Sequence, residues 1–206
     1  MTARRQLIWG NTAGRIKKFS VYPVVCKGRL GVLNIMKYKV KTKQFNSRMC
    51  LVCGMENKFG LKAFFYELEN DELVAIFSPL DGHQSYPGRL HGGIASAILD
   101  ETIGRAILLK NRDVWGVTVE LNLKYRKPIP LDQEIKVVGR IEKDSSRFFE
   151  GSGEIMLDNG EVAVKAWGKY LKLRLQDIIG SGDFNKDWKG YPSPLDPEVI
   201  ELESKS

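Results

Sequence analysis

"RLHGGIASAILDETIGRA", residues 89–106, decides how the rest of the chain is read. His91-Gly92-Gly93 opens a segment whose apolar residues recur at helical spacing. At about 100° per residue, Ile94, Ala95, Ile98, Leu99, Thr102, Ile103, Ala106 and Leu109 share one broad half, the expected core side. The other half holds Gly93, Ser96, Ala97, Asp100, Glu101 and Gly104, with Ile107 and Leu108 near its far end. A solvated helix face is normally built from Lys, Arg, Glu and Gln, and Gly inside a helix costs roughly 1 kcal/mol against Ala. Gly104 therefore implies close approach of another backbone, and the helix is expected to be covered on both sides. Its first N–H groups lack internal partners and carry partial positive charge, which suits an oxyanion or a polarised carbonyl.

The flanks of this helix read as strands. "LKAFFYEL" and "ELVAIFS" precede it, joined by the turn-forming Asn70-Asp71. "WGVTVELNLKYRKP", "QEIKVVGRIEK", "RFFEGSGEIML" and "EVAVKAWGKYLKL" follow it. Val117, Val119, Leu121 and Leu123 alternate with Thr118, Glu120, Asn122 and Lys124, the pattern of a sheet with one buried face. Asp158-Asn159-Gly160 predicts a hairpin with a type I′ turn. Two strands, one long helix and four strands with short loops imply antiparallel neighbours. The expected class is α+β, one helix wrapped by an antiparallel sheet of about five to six strands.

Composition narrows the function. Of 206 residues, 43% are hydrophobic and 28% charged, as in an ordinary globular protein. The net charge of +7 is uneven: residues 1–55 hold twelve Lys/Arg and no acid, leaving 20 basic against 25 acidic side chains in the remainder. A basic stripe on a folded face marks a nucleic-acid binder, whereas here the excess sits in an N-terminal arm, so no nucleic-acid partner is expected. No apolar run reaches the roughly 20 residues that span a bilayer, so no membrane partner is expected. Residues 1–35 show neither periodicity and are expected to be a poorly ordered basic arm. A start codon placed ahead of Met36 and an organelle-targeting peptide both remain open for it. Residues 36–175 form the expected domain and 176–206, with Pro192, Pro194 and Pro197, a surface-hugging or frayed tail. Cys26, Cys50 and Cys53 are an odd count without a secretory leader, which points to thiols in a reducing, cytoplasmic setting. Cys50-x-x-Cys53 alone is a weak zinc signal, since a structural site wants four ligands and His83 and His91 fall at no finger-like spacing. No metal is expected.

"YPGRLHGGIASAILDETIGRA" followed by "WGVTVELNLKYRKPIPLDQEIKVVGRI", together with "CLVCGMENKFGLKAFFYEL" and the hairpin to "VKAWGKYLKL", resembles the hotdog-fold thioesterase superfamily, in particular the phenylacetate-degradation type of acyl-CoA thioesterase. The resemblance covers roughly residues 48–173. It implies a homodimer, or a dimer of dimers, with active sites between subunits and an acyl-CoA substrate. No cofactor is required beyond the coenzyme A of the substrate itself. It implies Gly92 N–H as donor to the thioester carbonyl, Asp100 as nucleophile or general base, and Thr118 as a residue that positions water. His91 either hydrogen-bonds near the thioester or fixes the helix start, and Glu101 is a candidate supporting or substituting base. Relatives place Asn or Gln six residues before the motif His, which falls on Ser85, with Gln84 beside it. Gly93 is expected to lie against substrate, and Arg89, Lys124, Arg126 and Lys127 are candidates to meet the phosphates of coenzyme A. A non-catalytic acyl-CoA-binding or sensing protein on the same fold is the alternative.

Spacing adds one geometric demand. Gly92 and Asp100 are eight residues apart, about 12 Å along one helix, whereas an attacking atom must come within about 3–3.5 Å of its carbon. One subunit cannot bring both to the same thioester, and two antiparallel helices across a two-fold axis can.

Overall fold

Residues 92–109 are helical because long-chain and small residues with no internal Pro run unbroken from the His91 cap. The computed structural model describes the backbone of residues 6–12, 15–26, 29–180 and 182–205, and the side chains of residues 35–180 and 182–203. Helix α1 (Gly92–Arg105) continues into a tighter 3-10 turn, Ala106–Leu109. The strands are β1 (Gln6–Thr12), β2 (Arg15–Cys26), β3 (Arg29–Lys43), β4 (Asn46–Ser47), β5 (Phe64–Leu68) and β6 (Leu73–Phe77) before the helix. After it come β7 (Val114–Tyr125), β8 (Ile135–Asp144), β9 (Phe148–Met156), β10 (Val162–Arg174), short helices α2 (Leu175–Ile179) and α3 (Phe184–Asp187), β11 (Trp188–Lys189) and β12 (Val199–Lys205). Every pairing is antiparallel, in the order β1-β2-β3-β5-β6-β8-β9-β10-β7, with β12 on β3 and a separate β4-β11 pair. This is the α+β hotdog arrangement, one long helix lying on an antiparallel sheet.

The sheet is wider than the five to six strands the sequence predicts: ten join it among the described residues. The surplus comes from β1, β2, β3 and β12. Residues 6–12, 15–26 and 29–35 thus run as strand backbone where an irregular arm is expected; residues 1–5 lie outside the described residues. The stretch "RIKKFSVYPVVC" is rich in β-branched and aromatic residues, which the lack of strict alternation hides from a pattern search. The C-terminal segment is likewise tied down. Ile200 and Leu202 of β12 are buried with Tyr38, Tyr66, Leu68, Val74 and Val138 in a second apolar layer, on the sheet face away from α1. Among the described residues, no helix is long and apolar enough to cross a membrane.

Glycines let the helix settle onto the sheet. A Cβ on Gly153 would stand 2.9 Å from Ile103, on Gly139 2.9 Å from the Thr102 carbonyl, and on Gly116 2.9 Å from the Gly104 carbonyl. The backbone that approaches Gly104 is thus β7 of the same chain, with the Tyr170 ring beside it. Gly104, Arg105, Ile107 and Leu108 are all buried, so the buried arc of the helix is wider than the half assigned from periodicity. The Asp158-Asn159-Gly160 hairpin is present, but only Gly160 has a positive φ (72°), with Gly160 N–H bonded to Leu157 O at 2.8 Å. It is a type I turn completed by a left-handed glycine, in place of the expected type I′, because Asn159 keeps negative φ.

Gly116→Ala is expected to lower the unfolding free energy by about 1–3 kcal/mol, since Gly104 O and the Phe149 ring must both give way. Urea titration measures it, and an unchanged midpoint would show that the helix does not rest on that glycine.

Candidate functional site

At the start of α1, His91 has extended backbone (φ −65°, ψ 135°) and its Nδ1 accepts the Gly93 N–H at 2.9 Å. An accepting Nδ1 leaves the ring proton on Nε2. Of the two readings of His91, the structure therefore draws the helix cap, and the Gly93 N–H is spent on that cap. Gly92 N–H has no acceptor among the described residues. The Gly92 carbonyl accepts from Ser96 Oγ at 3.0 Å and from Tyr125 OH at 2.8 Å, with the two hydroxyls 2.7 Å apart. Tyr125, the last residue of β7, lays its ring 3.5 Å from the place a Gly92 Cβ would take. The free donor is thus walled by an aromatic ring on one side and open on the other.

That opening is a cavity of about 390 Å³ lined by Ser85, Tyr86, Arg89, Gly92, Tyr125, Arg126 and Lys127, with the apolar Leu90, Ala95, Pro128 and Ile129. Five residues expected from the sequence, Ser85, Arg89, Gly92, Arg126 and Lys127, meet here. Lys127 pairs with Glu161 at 3.5 Å, while Arg89 and Arg126 have no carboxylate partner among the described residues. Two unneutralised guanidiniums beside a helix N-terminus suit a phosphate-bearing ligand. Lys124 is exposed and does not line the cavity. Gln84 does not line it either: its Oε1 accepts the Gly88 N–H at 3.1 Å and fixes the loop. His83 is structural, its Nδ1 accepting the Leu80 N–H at 3.0 Å and its Nε2 donating to Phe59 O at 3.0 Å.

Two turns along, Asp100 is half-buried. Its Oδ1 accepts Thr118 Oγ1 at 2.8 Å and Tyr170 OH at 3.1 Å, and Oδ2 has no protein partner among the described residues. Both donors sit on one oxygen, so the carboxylate is oriented and the other oxygen is left open to attack or to take a proton. Plain alternation puts Thr118 on the face opposite Val117 and Val119, away from a helix packed on those valines. The pairing shows how it turns inward: Tyr170 pairs with Thr118 and Lys169 with Glu120, so Val119 is an extra, bulged residue. One inserted residue flips every side chain on one side of it. Gly116 and Thr118 then face α1 together with Leu121 and Leu123, while Val119 is 57% exposed.

Tyr170 is fully enclosed, and burial, reinforced by the neighbouring Asp100 charge, pushes its hydroxyl above its ordinary value of 10.0. It therefore remains a donor to Asp100. Sequence reading missed it because a Tyr in an alternating strand looks like core, and missed Ser96 and Tyr125 because their shared acceptor is a backbone carbonyl. The i, i+4 spacing of Gly92 and Ser96 was the one available signal. Glu101 goes elsewhere. Its Oε1 accepts Arg105 Nε at 3.0 Å and its Oε2 accepts Cys50 Sγ at 3.0 Å. Successive helix residues point about 100° apart, so Glu101 faces the 44–53 segment while Asp100 faces β7 and β10.

Tyr170→Phe removes a donor to a carboxylate and is expected to cost about 1–2 kcal/mol at neutral pH. Below pH 10.0 both folded and unfolded chains keep the Tyr170 proton and its contribution is intact; above it the unfolded chain ionises first, so stability falls as pH rises. The variant is expected to lose stability less steeply between pH 10 and 11 than the parent. Equal slopes in denaturant titrations across that range would contradict the assigned contact.

Parts of this chain are similar to known proteins. Residues 87–164 match the family described as the thioesterase superfamily. The acyl-coenzyme A thioesterase THEM4 of Rattus norvegicus is 30% identical over 139 residues, covering 66% of this chain and 59% of the relative. THEM5 of Homo sapiens is 25% identical over 114 residues, covering 55% of this chain and 45% of the relative. The chain spans about half the length of these curated relatives. A crystal structure of a thioesterase superfamily protein aligns with a TM-score of 0.56 and 25% identity, covering 60% of each chain. The matched segment, residues 87–164, carries α1, β7, β8, β9 and the start of β10, and over it the chain is similar to the thioesterase superfamily.

Proposed function

We propose that the chain hydrolyses acyl-CoA thioesters as a symmetric dimer, with the site shared between subunits. The carrying observation is the Asp100 carboxylate, held through Oδ1 by Thr118 and Tyr170 with Oδ2 free. The thioester carbonyl accepts the Gly92 N–H at the positive end of α1, where charge builds as the carbonyl carbon becomes tetrahedral. Asp100 Oδ2 from the partner either attacks that carbon, giving an anhydride that water opens, or takes a proton from the attacking water. In both courses the C–S bond breaks and coenzyme A leaves as thiolate, to be protonated by solvent. Arg89 and Arg126 border the open side of Gly92 and meet the phosphates of the nucleotide end.

A dimer is supported by two features. The rise from Gly92 to Asp100 is about 12 Å, too far for one carbon. Strand β7 is paired on one side only, by β10, among the described residues; its Thr118, Val119 and Glu120 are exposed, and a long exposed edge invites pairing with another copy. The finer assignment to the phenylacetate-degradation type rests on the motif resemblance and is tested by the acyl panel below.

Asp100→Asn is expected to reduce thiol release by about a thousandfold or more while leaving circular dichroism and dimer mass unchanged. Thiol release over straight-chain, branched and aromatic acyl-CoA esters measures it, and near-normal turnover would remove Asp100 from the reaction. Tight acyl-CoA binding with no thiol release by the parent would instead favour a binding module, a reading to which the Gln84 side chain, spent on Gly88, lends some support. Replacing Arg89 and Arg126 by Gln is expected to raise KM for acyl-CoA roughly tenfold and to leave KM for an acyl thioester lacking the nucleotide unchanged. Equal effects on both substrates would place the phosphates elsewhere.

A further inference from the structure

The turn at residues 50–54 carries chemistry that the Asp100 site does not use. Cys50-Leu51-Val52-Cys53-Gly54 closes on itself with Gly54 N–H bonded to Cys50 O at 2.9 Å. Glycine is required at its end, since a Cβ there would stand 2.2 Å from that carbonyl. The turn brings the Cys50 and Cys53 sulfurs and a Glu101 carboxylate oxygen within 4.8 Å of one another. Both thiols are free; Cys50 is half-buried and Cys53 fully enclosed.

Each sulfur has its own polar surroundings. Cys50 Sγ lies 3.0 Å from Glu101 Oε2 and accepts the Val52 N–H at 3.3 Å. Cys53 Sγ accepts the Ser47 N–H at 3.3 Å and Arg105 Nη2 at 3.1 Å. Arg105 is buried, clasped by Glu101 and Phe45 O and sandwiched between the rings of Phe65 (4.2 Å) and Trp188 (4.7 Å). A hydrogen bond from Cys53 holds Cys50 below the ordinary thiol range, and the same bond, with burial, holds Cys53 above it. The half-buried Cys50 sulfur is the one that an outside disulfide can reach, and the enclosed Cys53 keeps its proton until Cys50 has reacted.

We propose that Cys50 and Cys53 form a thiol–disulfide exchange couple in which Cys50 attacks and Cys53 resolves, with a small-molecule disulfide of the glutathione class as oxidant. The Cys50 thiolate attacks one sulfur of RSSR, an S–S bond forms to Cys50, and RS⁻ leaves. Cys53 then attacks the Cys50 sulfur, the second RS⁻ leaves, and the two protons of the original thiols end on two RSH. The protein dithiol is oxidised by two electrons and the disulfide reduced by two. Arg105 and the Ser47 N–H sit where negative charge develops on Cys53 as it ionises for the second step. A metal ion is the rival use of the same three groups. The Arg105 guanidinium already bridges Cys53 Sγ and Glu101 Oε1, so a fixed cation fills the seat that a divalent ion would need.

The whole chain, purified with reductant and then moved through a series of reduced-to-oxidised glutathione ratios, is trapped with an alkylating reagent and peptide-mapped. Cys50 and Cys53 are expected to pass together from alkylated to unalkylated in one two-electron step. In Cys53→Ser, glutathione should remain on Cys50 as a stable mixed disulfide, at about ten times or more the yield found on Cys53 in Cys50→Ser. Full alkylation of either cysteine at the oxidised end, or equal adducts in the two single variants, would overturn the couple. So would zinc retained at one equivalent by the freshly purified chain and lost in either variant, which would make the cluster a metal site.

Discussion

Tyr170 and Thr118 grip one oxygen of Asp100, and the rest of the site is arranged around that grip. A carboxylate on a helix facing its own sheet would ordinarily be a liability: a half-buried charge with nothing to answer it costs several kcal/mol. Two hydroxyls answer it without neutralising it. A Lys or Arg in their place would have bound both oxygens and quenched the carboxylate as a nucleophile or base. The grip depends on a bulge, because only the extra residue at Val119 turns Thr118 to the same side as Leu121 and Leu123. It depends equally on close packing, because Gly104 and Gly116 let α1 and β7 approach until Thr118 Oγ1 reaches Asp100.

How much of this was legible in the chain depended on how local each signal is. The helix, its Gly92 start and Asp100 follow from 3.6-residue periodicity and from small residues where solvated ones belong. The six strands flanking it follow from alternation and from Asn70-Asp71 and Asn159-Gly160. Thr118 was named from the resemblance, yet its direction could not be read, because a bulge is a property of two paired strands and leaves no trace in one. Tyr170 and Cys50 meet Asp100 and Glu101 across 70 and 51 residues. Such contacts are set by topology, which local patterns do not encode. The first strands were missed because a run of cations without acids resembles a solvated arm, although its β-branched residues suit a sheet.

Helix α1 thereby serves three environments around one circumference. Leu99, Thr102 and Ile103 bury against the glycine-bearing strands β8 and β9. Asp100 turns to β7 and β10, and Glu101 with Arg105 turns to the Cys50–Cys53 turn and the aromatic cluster of Trp115, Phe184 and Trp188. The half that looked bare in the sequence is covered within a single chain over Gly104, and stays partly open from Gly92, Gly93 and Ser96 along to Asp100. That remaining opening is where Arg89 and Arg126 gather, and where a substrate and a partner helix can both come close.

Subunit complementation tests the shared site most directly. Gly92→Pro deletes the single N–H while suiting the first helical position and the extended His91 before it. Asp100→Asn deletes the acid. Each variant alone is expected to be nearly inactive towards acyl-CoA. After the two are mixed and allowed to exchange subunits, activity should return to about a quarter of the parent's, because half the dimers are mixed and each rebuilds one whole site from two chains. No recovery in mixtures proven to contain mixed dimers would mean that Gly92 and Asp100 act from the same chain, or do not act together at all.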